Sequence, residues 1–147
     1  MRKINFISLG ILVFLPLLVF ATSNDLTLSE RALREECSTG SQAGIRDCLA
    51  KKVEESQKGL RRSEANLSNV LSKWDEDDKY IILAKDKLDK SSKEFIKYRQ
   101  SQCEFSSALG GGAAGNTYEI RRLACVAELN SKRSKQLRDF VDVVIIK

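Results

Sequence analysis

The side chains best suited to chemistry in this chain are four cysteines, Cys37, Cys48, Cys103 and Cys125. Thiols can ligate zinc, attack a substrate, or pair as disulfides. Zinc sites group their thiols as close pairs or recruit imidazoles. Here the separations are 11, 55 and 22 residues, and the chain contains no histidine. A catalytic thiol needs a neighbouring base to activate it, and histidine is the usual one. Carboxylates are the other candidates: Glu35-Glu36, Glu54-Glu55 and the run Asp75 to Asp78. Paired acids can do general acid–base work. These lie scattered over predicted helix ends and faces, without a cleft signal, and read as solvated surface. The sequence thus predicts no catalytic residue, no metal site and no cofactor.

Disulfides require an oxidising compartment, and the N-terminus predicts one. Arg2 and Lys3 are followed by the apolar run Ile4 to Phe20, and then by Ala21-Thr22-Ser23. A basic start, an apolar stretch and a small-residue exit make a secretory signal peptide. The alternative is a retained membrane anchor, for which an almost wholly apolar run of 17 residues is at the short end. Cleavage after Ser23 leaves 124 residues, one modest domain at 24–147. It also removes Arg2 and Lys3, taking the net charge from +5 to +3. So mild a balance does not imply nucleic acid. A periplasmic or secreted location follows, with no membrane span after cleavage. Nothing in the sequence sets the oligomeric state.

The elements that must position the cysteines read as helices. The one proline is Pro16, so nothing downstream forbids long helices. Residues 27–37 predict a short helix capped by Thr27 or Ser29, with Glu30 three residues after Thr27 as in a capping box. Residues 38–44 predict a turn. A helix over 43–74 follows, with Leu49, Val53, Leu60, Leu67, Leu71 and Trp74 on one stripe. After the acidic joint, a helix over 77–107 carries Ile81, Ala84, Leu88, Phe95, Tyr98 and Gln102 inward, with Lys85, Lys87, Asp89, Lys90 and Lys93 outward. Gly110, Gly111, Gly112 and Gly115 break the pattern. A last helix starts at Asn116 or Thr117, either of which can cap it. Its inner face is Leu123, Ala127, Asn130, Ser134, Leu137, Val141 and Val144. Residues 143–146 either end that helix or dock as an extended tail. No stretch after residue 23 alternates as a strand. The expected fold is all-α, a small antiparallel bundle of about four helices.

Four cysteines allow three pairings. Turn geometry selects one. The 38–44 turn folds Cys48 back toward Cys37, and the glycine loop sets Cys103 opposite Cys125. Two disulfides, Cys37–Cys48 and Cys103–Cys125, would staple the bundle and leave the glycines as a tethered loop available to a partner.

Phe95-Ile96-Lys97-Tyr98-Arg99 followed by Cys103 resembles the aromatic–x–x–aromatic–Arg–xxx–Cys signature of the LprI-like lysozyme inhibitor family. Cys125-Val126, Leu129, Arg133 and Leu137 resemble its second signature, and Cys48-Leu49 with Leu67 its opening segment. The likeness spans about residues 37–137. Phe95 stands where the family usually has Trp, Asn130 where it often has Thr, Leu71 where Tyr is common and Ser68 where Asn is common. The resemblance implies a secreted or periplasmic helical protein that binds a lysozyme and covers its glycan-binding cleft. The alternative is an envelope protein-binding factor that neutralises another toxin or supports envelope assembly.

The residues expected to bind are the loop positions Gly110, Gly111, Gly112 and Asn116, together with Arg99 and Arg133. A guanidinium fork suits a partner's carboxylate. It equally suits a carboxylate or carbonyl on a neighbouring helix. Tyr98 and Phe95 are expected in the core, and Trp74 either in the core or at a contact. Arg121-Arg122 and Lys132-Arg133-Lys135-Arg138 make the last helix basic, suited to an anionic surface or to plain solvation.

Overall fold

A computed structural model of the chain describes residues 27–112 and 115–146. The expected signal peptide at 1–23 lies outside the described residues. Four helices account for nearly all of the rest: α1 Glu30–Glu36, α2 Gln42–Leu71, α3 Asp78–Ala108 and α4 Thr117–Ile146. Among the described residues there is no strand, and no helix is long and apolar enough to cross a membrane. The two disulfides are Cys37–Cys48 and Cys103–Cys125, with Cα separations of 5.7 and 5.5 Å. The all-α bundle and its two staples match the reading of the sequence.

Local sequence sets the helix ends. Ser29, not Thr27, caps α1, its Oγ accepting the Ala32 N–H at 3.2 Å. Glu30 therefore does not close a capping box with Thr27. Its carboxylate receives Arg34 and, from α3, the Ser106 hydroxyl at 3.0 Å. Ser41 caps α2 by accepting the Gly44 N–H at 3.2 Å, so the turn ends sooner than expected and Gly44 falls in the first helical turn. α2 ends at Leu71, and Trp74 lies beyond it, its N–H donating to the Leu71 carbonyl at 3.3 Å. The alternative left open at 143–146 resolves as helix, since α4 runs to Ile146.

The long helices run up, down and up. α3 lies antiparallel to α4: Cys103 joins Cys125, Arg99 reaches Asn130, and Ser91 meets Arg133. α2 lies parallel to α4, since Leu49 packs with Leu123, Ser56 bonds Asn130, and Leu60 packs with Leu137. α2 and α4 make the main interface, and α3 leans mostly on α4. α1 closes one end, burying Leu33 and bonding Lys52 of α2 through Glu36.

The core is two clusters. At the disulfide end Leu33, Cys37, Leu49, Leu123, Ala124 and Ala127 pack together. At the far end Leu60, Leu67, Leu71, Leu137 and Val141 do so, with Phe95, Leu88 and Trp74 against them. α3 contributes only Cys103 and Ser106 as fully buried residues.

Tyr98 corrects the inner stripe predicted for α3. It is 53% exposed. The inward residues of this segment are one turn apart in a different phase: Arg99, half-buried, lies four residues before Cys103, and Ser106 follows. The disulfide fixes that phase, and at about 100° per residue Tyr98 is turned away from the core.

Because α3 is held mainly at one side, its covalent anchor carries weight. Replacing Cys103 and Cys125 together by alanine is expected to lower the unfolding free energy by about 3 kcal/mol. Urea titration of the oxidised variant should show an earlier midpoint with a similar slope.

Candidate functional site

Two arrangements concentrate the residues that the sequence marks for function. The first is the glycine loop between α3 and α4. The Cys103–Cys125 bond ties the last turns of α3 to the first turns of α4. Closer to the loop, the Ser107 hydroxyl donates to the Tyr118 carbonyl at 3.0 Å, and the Tyr118 hydroxyl donates to the Gly111 carbonyl. Gly111 and Gly115 have φ of +61° and +79°, the left-handed region that glycine enters without a steric penalty. A Cβ at Gly110 would come within 3.1 Å of the Ser107 carbonyl oxygen, a tight approach that the backbone has to yield to by a few tenths of an ångström. A Cβ at Gly112 would meet nothing. Asn116 starts α4, its carbonyl accepting the Ile120 N–H at 2.9 Å. Gly111, Gly112 and Gly115 are exposed. Ala113 and Ala114 lie outside the described residues.

The second arrangement is a polar layer between the two apolar clusters. Asn130 on α4 is fully buried. Its Nδ2 donates to Ser56 Oγ at 3.2 Å and to Gln57 Oε1 at 3.3 Å, both on α2. Its Oδ1 accepts from the Arg99 guanidinium of α3, which also donates to Gln57 Oε1 at 3.0 Å. One buried amide therefore links all three long helices. The Phe95 ring lies against two guanidiniums, with Arg99 at 5.7 Å and Arg133 at 5.9 Å from its centroid. Arg133 donates to Ser91 Oγ at 2.8 Å and to Gln136 Oε1 at 2.6 Å. Burial lowers the pKa of both arginines, and Glu64 opposes that through space. A guanidinium keeps its charge in a protein all the same.

Arg99 and Arg133 are thus brought together, both against the Phe95 ring, while the loop glycines and Asn116 sit at the end of the bundle. Arg99 is directed inward to Gln57 and Asn130 rather than outward. The role of Asn130 as the acceptor for Arg99 was missed in the sequence. The signal was present as a carboxamide on an inner stripe whose only other polar member is Ser134. The other candidates stay apart. Glu36 pairs with Lys52, Glu54 with Lys58 and Asp77 with Lys79. Lys58 holds the Glu54 carboxyl below its usual pKa, chiefly by a hydrogen bond. Among the described residues no group of three or more histidine, cysteine or acidic side chains could hold a metal. On the basic helix, Arg122, Lys132 and Lys135 pair with Glu119, Glu128 and Asp139 one turn away.

The signature residues Cys48, Phe95, Arg99, Cys103, Cys125, Arg133 and Leu137 all fall in these staples, this polar layer or the adjoining cluster. The family model described as "Lysozyme inhibitor LprI" matches residues 34–137. The chain belongs to the LprI lysozyme inhibitor family. This is a family of inhibitors rather than enzymes, and its partner is a lysozyme. No curated protein and no solved structure matches the chain.

The polar layer makes a quantitative demand. Asn130→Ala removes an acceptor from the Arg99 guanidinium and a donor from Ser56 and Gln57, leaving only the Arg99–Gln57 bond of the layer, and is expected to cost about 1–3 kcal/mol. A double-mutant cycle with Arg99→Met should return a coupling above about 0.5 kcal/mol. Additive single effects would mean that the two side chains do not share their energy.

Proposed function

We propose that the protein inhibits a lysozyme outside the cytosol, residues 1–23 being a signal peptide removed on export. It binds the enzyme and covers the glycan-binding cleft, and the loop at 110–116 makes the contact. The observation that carries this reading is how the loop is held. A disulfide and two hydrogen bonds fix its base, while Gly111, Gly112 and Gly115 stay exposed. A segment already ordered at both ends loses less conformational freedom on docking than a free one. Glycine peptides also present N–H and C=O groups without side-chain bulk, which suits a cleft built to hydrogen-bond sugar hydroxyls. Arg99 and Arg133 serve this function indirectly, by setting α3 on the bundle and so placing the loop.

Charge does not draw the two proteins together. Animal lysozymes are typically basic, and the chain without residues 1–23 is itself at +3. Long-range steering is therefore weak or adverse, and affinity has to come from shape and short-range hydrogen bonds.

Titration of the purified, oxidised protein into a lysozyme digesting cell-wall material is expected to slow the reaction at micromolar excess. Gly112→Trp should raise the concentration needed by about tenfold or more, as expected for a residue at the centre of an interface. Position 112 has room for a side chain, so circular dichroism of that variant should match the parent. Undiminished inhibition by Gly112→Trp would remove the loop from the contact. No slowing by the parent protein would end the reading for the enzyme tested.

A further inference from the structure

The far end of the bundle holds an apolar groove of about 400 Å³, away from the loop proposed to contact a lysozyme. α3 and α4 form its walls and α2 its floor. Leu71, Trp74, Ala84, Leu88, Phe140 and Val144 make it apolar. The groove exists because α3 leans on α4 and touches α2 little, leaving the seam between them incompletely filled. Its size falls within the range of small-ligand clefts, about 300–1,000 Å³.

Its polar residues are two cations and a hydroxyl. Lys87, Ser91 and Arg133 line it, and no acidic residue does. Lys87 forms no ion pair among the described residues. Arg133 donates only to the neutral oxygens of Ser91 and Gln136, and its Nε is buried without a partner. Glu64 acts on it through space but makes no ion pair. A partly buried cation with an unused donor is under-compensated, and a bound anion relieves that cost. From Arg133 to Val144 the groove follows about 16 Å of α4, at about 1.5 Å per residue. The charged end and the apolar length together describe an amphipathic anion.

We propose that this groove binds a single-chain acyl anion of the fatty-acid class. The carboxylate sits at Arg133, Ser91 and Lys87, and the chain extends toward Trp74 and Val144. This site is distinct from the loop, and it stands whether or not the protein inhibits a lysozyme.

Trp74 is the only tryptophan and lines the groove, so its fluorescence reports occupancy directly. The probes are dodecanoate and dodecyltrimethylammonium, which share a chain length and differ in the sign of the head, each kept below its micelle concentration. Dodecanoate is expected to give a saturable shift of Trp74 emission at one equivalent. The cationic probe should bind at least about tenfold more weakly, the ratio that one charge-assisted hydrogen bond supplies. Arg133→Gln should shrink that ratio, and so should Lys87→Gln, which alters an exposed side chain and leaves the fold intact. Ala84→Phe fills the groove and should abolish both signals at unchanged helicity. Equal binding of the two probes, or no saturable shift at all, overturns the proposal. So does a concentration-dependent dimer, seen by sedimentation and lost in Ala84→Phe, because a second copy would then be the occupant.

Discussion

The structure depends on one buried side chain finding all of its partners. Asn130 lies between two apolar clusters, out of reach of water, and its amide must be satisfied from within the protein. Ser56 and Gln57 of α2 and Arg99 of α3 do this together. Apolar contacts alone would tolerate many sliding positions of three long helices. A polar layer does not, because a shift of one turn leaves an amide, a carboxamide and a guanidinium without partners. A buried polar residue that sets register is a known device in helical assemblies, and here it sets three helices at once.

The disulfides act on the same problem from the ends. Cys37–Cys48 closes the short α1 onto α2, a helix of seven residues that could not persist alone. Cys103–Cys125 fixes the rotational phase of α3, and that phase puts Arg99 within reach of Asn130. Covalent and polar constraints therefore support each other. Both lie in the half of the bundle near the loop or at its middle. Past Arg133 nothing comparable pulls α3 inward, and the apolar groove opens there. Rigidity at the loop and looseness at the far end arise from one uneven distribution of constraints.

The family signature takes on a physical meaning in this light. Its cysteines, aromatics and arginines are mostly the residues that hold helices at a fixed spacing and angle. Phe95 stands against two guanidiniums, and its ring face offers the negative side of its quadrupole to both. Tyr98, which shares the signature, is exposed and holds nothing in the core. Such a pattern describes a scaffold more than a contacting surface.

The helices, their number and the cysteine pairing were legible from local information: the 3–4 spacing of apolar residues, the absence of proline after Pro16, and turns short enough to bring Cys37 to Cys48 and Cys103 to Cys125. Boundaries moved by a few residues because capping is decided by which hydroxyl reaches an N–H, as with Ser29 and Ser41. What only the tertiary structure decided was rotation and partnership. Tyr98 and Arg99 are adjacent, and either could face inward by pattern. The sulfur bridge at Cys103 determines which does. Likewise no local signal pairs Arg99 with Asn130, 31 residues away, or reveals that α3 would leave a groove beside Trp74. Periodicity is a property of one helix, whereas the phase and tilt between helices come from all their contacts together.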